Sequence, residues 1–317
     1  MAQLRFGKAA VLGATGPTGI HMVRRLRASV PAIRVVSRSA RNLERTLPEA
    51  DLERVAEDVL EEGGALRAIE GCDLVFDCIG LPRELMDRHP RVAENVAAAV
   101  TKTGARCVQV SSYWAYLPIV RLPLDESHPR AGGPPWVRYR RAAEDALQSA
   151  GAAIVHLPDF YGPHVHASVL QNALRDAVQG KPMNWIGPAD VPREHVLVPD
   201  AMKTAVDLAH REEAYAERFL FPGAGPLTGR RLAEIASEYL GREVKLRAAA
   251  PWLLRIVALF NADLRSFLPM VPHYVRPMSF NASKLQALLG AQETTPYERG
   301  VPQTLDWLRG SPPVYSA

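Results

Sequence analysis

The stretch Lys8-Ala-Ala-Val-Leu12-Gly13-Ala14-Thr15-Gly16-Pro17-Thr18-Gly19 decides the fold. Lys8 to Leu12 is a short apolar run that reads as a buried strand. It stops at a glycine, and a helical pattern of Ile20, Val23 and Leu26 begins after the third one. Strand, glycine turn and helix in that order make a cradle for a pyrophosphate. Gly13 permits the tight turn, Gly16 lets bare backbone approach the phosphates, and Gly19 lets the helix pack closely on the strand. The helix N-terminus adds free N–H groups and the positive end of its dipole. Thr15, Pro17 and Thr18 fill the turn and complete the expected phosphate-binding set.

A second strand, Ile33 to Ser37, follows in the place such a unit requires, and its end selects the dinucleotide. A carboxylate there would accept a hydrogen bond from the ribose 2′-OH of NAD. None occurs before Glu44; the segment runs Val35-Val36-Ser37-Arg38-Ser39. Arg38 with its flanking hydroxyls suits a 2′-phosphate, and Arg41 can add to the patch. NADP is therefore expected as cofactor in preference to NAD.

Outward from this unit, apolar strands alternate with helical patterns. Val55 to Val59, Asp73 to Ile79, Cys107 to Ser111 and Ala153 to Leu157 read as strands. Leu66 to Ile69, Val92 to Thr103 and Tyr139 to Ala150 read as helices. This alternation predicts βαβ units and a doubly wound, Rossmann-type parallel α/β sheet covered on both faces. After about residue 165 the rhythm becomes mixed: helices over Ser168 to Gly180, Leu227 to Leu240, Trp252 to Phe260, Ser283 to Leu289 and Pro302 to Leu308, with short strands at His195 to Val198, Arg218 to Phe221 and Val244 to Leu246. The expected division is a cofactor-binding domain of residues 1–165 and 195–222, with a smaller substrate-binding lobe of residues 166–194 and 223–317.

Composition narrows the function. The chain has 317 residues, 47% hydrophobic and 23% charged, which excludes collagenous, disordered and disulfide-stapled classes. Its formal charge of +4 comes from 32 Arg and 6 Lys scattered along the chain, too diffuse for a nucleic-acid stripe. The longest apolar stretch, Pro251 to Phe260, is interrupted by Arg255 and is too short to span a membrane. There is no signal-peptide pattern at the N-terminus, and Cys72, Cys78 and Cys107 have no metal or redox spacing. A cytoplasmic protein with a small-molecule substrate, and neither a nucleic-acid nor a membrane partner, is expected.

With these residues in hand, the chain resembles the short-chain dehydrogenase/reductase superfamily, in its extended or atypical epimerase/dehydratase-like branch. The Gly-x-x-Gly-x-x-Gly spacing at 13, 16 and 19 is that family's form of the turn. Glu57-Asp58-Val59 resembles its acidic turn, whose Asp contacts adenine. Val75 to Gly80, including Ile79, resembles the strand end that meets the cofactor. Val110-Ser111-Ser112, followed by Tyr116, resembles the family's Ser-Ser strand end followed by a Tyr. Phe160-Tyr161-Gly162-Pro163, just after Pro158, resembles the turn beside the nicotinamide. The segment from His195 to Asp200 and the ending from Ser279 to Leu308 follow the family's order, so the likeness runs nearly full length.

The family's chemistry rests on a Tyr and a Lys four apart on one helix face, with a Ser from the neighbouring strand. Here the pattern breaks. Counting from Tyr139, the Lys position is Ala143; counting back from Glu144, the Lys position is Arg140 and the Tyr position is Trp136. Where the family usually has Arg-Pro, this chain has Pro158-Asp159. Three readings stay open. Tyr139 acts with positive charge from Arg140 or the cofactor; Tyr113 or Tyr116 is the proton donor; or the site works without a phenol, either by hydride transfer with solvent protonation or as a cofactor sensor. Ser112, at a strand's C-terminal end, is expected to orient the substrate oxygen.

No metal is expected: His164 and His166 lack a third ligand at suitable spacing. The apolar stretch Pro251 to Tyr274 reads as lobe core or as a homodimer interface, with a greasy lid over the nicotinamide as the alternative. The resemblance and the residues together imply an NADP-dependent oxidoreductase acting on a small, apolar carbonyl or hydroxyl compound. The alternatives are a non-catalytic NADP-binding redox regulator and a sugar-nucleotide epimerase or dehydratase.

Overall fold

A computed structural model describes residues 4–166, 168–249, 252, 256, 259, 265 and 268–310. Strand β1 (Lys8–Leu12) shows why the sheet forms. Its side chains alternate between two apolar layers: Ala9 and Val11 enter one, Ala10 and Leu12 the other. A strand buried on both faces reads as a continuous apolar run, as this one does.

Six strands join it: β2 (Ala32–Ser37), β3 (Glu53–Ala56), β4 (Leu74–Asp77), β5 (Arg106–Ser112), β6 (Ala153–Leu157) and β10 (Arg218–Leu220). All seven run parallel in the order β10-β6-β5-β4-β1-β2-β3. Helices α1 (Pro17–Leu26) and α7 (Val198–Ala209) cover one face through Met22, Val23, Met202 and Val206. Helices α3 (Gly64–Ile69), α4 (His89–Thr103) and α5 (Pro135–Ser149) cover the other through Ile69, Val96 and Leu147. This is the doubly wound α/β sheet that the sequence implies. The strand order reverses between β1 and β4, which opens a crevice at the carboxyl ends of the strands.

The remaining elements include two small sheets. β7 (Asp159–Tyr161), β9 (Arg193–Leu197) and β11 (Pro226–Leu227) form one; β8 (Met183–Ile186) and β12 (Leu246–Ala249) pair in the other. A separate apolar cluster joins α6 (Val169–Val178), α8 (Gly229–Leu240) and the C-terminal helix (Tyr297–Gly310) around Trp185 and Tyr161. Among the described residues no helix is long and apolar enough to cross a membrane.

Several boundaries differ from expectation. The third strand is Glu53–Ala56, the fourth Leu74–Asp77, and the last helix begins at Tyr297. Helix α2 (Ala40–Thr46) and strands β7 and β8 had no counterpart in the sequence reading. Most of the expected helix Trp252 to Phe260 lies outside the described residues.

Candidate active site

The glycine turn is built by close approach. Gly13 has φ +72°, and a Cβ there would stand 2.9 Å from the Cys78 carbonyl oxygen on β4. A Cβ on Gly19 would stand 2.7 Å from Ala14 Cα, so only glycine lets α1 start against the turn. Pro17 occupies the first turn of α1, where its missing N–H costs nothing. No acidic side chain lies in that turn, so its positive end faces the crevice uncancelled.

The crevice is a cavity of about 330 Å³. Gly13, Thr15, Gly16, Pro17 and Thr18 form its floor, and Ser37 and Arg38 of the β2 end form one wall. Asp58 and Val59 stand beyond them, while Ile79, Gly80 and Phe160 close the other end. Of the expected cofactor residues, Gly19 and Pro158 are not on the wall. Gly19 instead packs helix on turn, and Pro158 lies between β6 and β7. The sequence reading missed Val36, Leu60, Leu81 and Val92, apolar wall residues that no motif marks.

Charges around the β2 end are specific. The Thr15 and Ser37 hydroxyls lie 3.4 Å apart. Arg38 is exposed and makes no hydrogen bond or ion pair among the described residues. Glu57, one of two acids on the wall with Asp58, is gripped by Arg67 through both oxygens, at 2.9 and 3.0 Å. That grip holds its carboxyl below the usual range. At the crevice base Asp77 is buried, accepting from the Ile79 N–H at 3.1 Å and from the Gln109 amide at 3.3 Å. Burial pushes its carboxyl up to about 6 despite those bonds.

Off that wall, α5 and the end of β5 form a polar cluster of their own. Ser112 caps a 3-10 turn (Tyr113–Tyr116), its hydroxyl accepting from the Trp114 N–H at 3.4 Å. Ser111 donates to the Glu144 carboxylate at 2.5 Å and accepts from Arg140 at 3.4 Å. Glu144 also receives His156 at 3.1 Å and Arg130 at 2.7 Å. Burial opposes the charged carboxylate, yet these partners hold it at about 2. Trp136, Arg140 and Glu144 thus share one face of α5, as their i, i+4 spacing dictates. Trp136 lies against Trp114, with ring centroids 5.6 Å apart.

Of the three candidate tyrosines one is exposed and two are buried. Tyr139 is 37% exposed on the outer side of α5. The Tyr113 hydroxyl donates to Asp159 at 3.2 Å and receives Arg193 at 2.9 Å. Burial, with the Asp159 charge, drives its pKa far above normal. Tyr116 is fully buried, its hydroxyl without a hydrogen-bond partner, and burial raises its pKa in the same way.

Comparison with known proteins fits this geometry. Residues 13–157 match a family model described as NAD(P)H-binding. The structure is similar to an epimerase from Methanothermobacter thermautotrophicus (TM-score 0.80, 16% identity, covering 96% of this chain and 92% of that one). It is also similar to UDP-glucuronic acid 4-epimerase from Bacillus cereus, solved with UDP-glucuronic acid and NAD (0.79, 13%, 96% and 99%). A dTDP-glucose 4,6-dehydratase from Streptomyces venezuelae, solved with NAD, resembles it too (0.75, 19%, 95% and 96%). The chain shares the fold of these two epimerases and this dehydratase. No curated protein matched the sequence.

Within that fold the crevice suits a nicotinamide dinucleotide. Bare amides and a helix N-terminus meet the pyrophosphate, and small residues at Gly13 and Gly16 leave room for it. Counting back from Glu144 places Trp136 and Arg140 on the inward face, while Tyr139 turns away. His164 and His166 pack on Trp307, with ring centroids at 5.3 and 6.0 Å. Among the described residues no group of three or more His, Cys, Asp or Glu is placed to hold a metal.

Proposed function

We propose that the chain is an NADP(H)-dependent oxidoreductase for a small carbonyl or hydroxyl compound. The observation that carries this reading is the β2 end, where Arg38 and Ser37 stand on the crevice wall and Glu57 is already bound by Arg67. The β2 end itself carries no carboxylate for a ribose 2′-OH, whereas a 2′-phosphate finds a guanidinium and the Thr15 and Ser37 hydroxyls on the wall. A reduced nicotinamide, when bound, supplies a hydride that, with one proton from water, turns a carbonyl into an alcohol and leaves the cofactor oxidised.

The protein's own groups then have distinct tasks. Ser112 orients the substrate oxygen from the end of β5. Arg140 supplies positive charge at the same end, and the Trp114–Trp136 pair excludes water. With Tyr139 exposed, Tyr113 committed to Asp159 and Tyr116 sealed in the core with its pKa raised by burial, the proton comes from solvent and not from a phenol. The Trp114–Trp136 pair favours an apolar body over a sugar nucleotide.

A second reading follows from Trp136. An indole in the phenol's place leaves a dinucleotide site without the family's proton donor, which suits a non-catalytic reporter of the NADPH/NADP balance. One experiment separates the two: loss of NADPH absorbance across a panel of aldehydes and ketones, with wild type and Ser112→Ala. Turnover that falls in Ser112→Ala supports the oxidoreductase. NADPH binding with no turnover on any panel member supports the reporter.

A further inference from the structure

Arg140 is a cation with too few partners. Its NH1 lies 3.4 Å from the Ser111 hydroxyl, a long contact, and its Nε is buried with no hydrogen-bond partner. Glu144, one helical turn further, does not neutralise it by contact, because its oxygens are taken up by Ser111, His156 and Arg130. Arg130 brings a second cation to the same carboxylate. Arg140 makes no ion pair among the described residues.

His89 stands in the same corner. It opens α4, is 6% exposed, and its Nε2 is buried with no partner. Burial, and after it the nearby Arg140 cation, lowers its pKa to about 4. The ring is therefore neutral near pH 7 and free to carry its one N–H on Nε2. Val92, one turn along α4, lines the crevice. Ser111 belongs to the β5 end, beside the β4 end that also lines it. Arg140 Nε and His89 Nε2 are thus buried without a hydrogen-bond partner, off the cavity wall but in the same corner as Val92, which is on it. Leaving a buried cation in that state is costly, and an anion delivered from the crevice removes the cost.

We propose that Arg140 and His89 together receive a carboxylate of the substrate, so that the substrate is an oxo acid or the matching hydroxy acid. The inference rests on the oxidoreductase reading above and narrows its substrate. The guanidinium presents a planar pair of N–H groups to both carboxylate oxygens, and His89 Nε2–H adds a third donor. Ser111 positions this head group: its hydroxyl hydrogen is held by Glu144, so its lone pairs face Arg140. Glu144 acts on the substrate only through Ser111 and is a positioning residue.

The test is calorimetric titration of NADPH-loaded protein with pyruvate, 2-oxobutyrate and benzoylformate, and with methyl benzoylformate as the uncharged counterpart. At least one acid is expected to bind, with benzoylformate exceeding its ester by about tenfold or more. Arg140→Met and His89→Leu should each weaken the acid by about tenfold, with NADPH titration of each variant showing that the crevice is intact. If Arg140→Met does not fold, Arg140→Lys keeps the charge without the fork and should still lose several-fold. Equal binding of acid and ester, unchanged acid binding in the variants, or no binding of all three acids by protein that binds NADPH overturns the inference. Failure to bind NADPH at all contradicts the oxidoreductase reading instead.

Discussion

Trp114 and Trp136 pack with their ring centroids 5.6 Å apart and their planes at 54°. One indole follows the β5 end; the other sits in the first turn of α5, and Tyr274 lies 6.0 Å from Trp114 on the other side. In the register counted back from Glu144, the place of the phenol in the resembling family falls on this indole, a hydrogen-bond donor with no acid–base chemistry near neutral pH.

The proposed solvent protonation requires that Tyr139 is not the acid. Tyr139→Phe is expected to change the rate of NADPH oxidation by less than about twofold. Tyr113→Phe should act on stability: it removes the bond to Asp159 and the acceptor for Arg193, at about 1–3 kcal/mol in a denaturant titration. A rate loss of about a hundredfold or more in Tyr139→Phe, with the fold intact, would restore that residue as proton donor.

Gly19, behind the crevice, and Gly80, on its wall, should behave oppositely. Gly19→Ala drives a Cβ into the Ala14 backbone, which cannot yield without opening the turn. It is expected to abolish dinucleotide binding or folding. Gly80→Ala meets nothing within 4 Å and should leave thermal stability within about 0.5 kcal/mol of wild type. Thermal melts with and without NADPH separate the two, and equal effects would contradict the packing argument.

These cases show what was legible in the sequence. The glycine turn could be read because strand, turn and helix are local, and each glycine answers a contact within a few residues or across one neighbouring strand. The β1, α1 and β2 pattern followed for the same reason. The register of α5 could not be read, since Tyr139 and Glu144 point to different alignments and only the packed helix shows which face turns inward. Ser111 and Glu144 are 33 residues apart, and nothing in either segment announces their hydrogen bond. Strand β8 carried a faint signal, Met183 and Trp185 buried on one side of an alternating run, but four residues are too few to tell strand from loop.

Asp77 gives the structure a pH dependence of known sign. Its folded pKa, about 6, lies above the ordinary value of 3.8 because burial disfavours the charge. Between those values the folded chain holds a proton that the unfolded chain releases. The Asp77 contribution to stability is therefore largest at low pH, is lost as pH rises through about 6, and spans at most about 3 kcal/mol. Asp77→Asn keeps an acceptor for the Ile79 N–H. Relative to wild type it should gain stability between pH 4 and pH 7, and parallel unfolding profiles over that range would contradict the assignment.

The central claim is a crevice that holds a dinucleotide with an arginine for its extra phosphate, and calorimetric titration of wild type and Arg38→Ala with NADPH and NADH tests it most directly. Wild type should bind NADPH more tightly than NADH. Arg38→Ala should lose about tenfold or more for NADPH while NADH binding stays nearly unchanged. Equal losses for both would contradict the 2′-phosphate assignment, and no heat with either nucleotide would contradict the whole account.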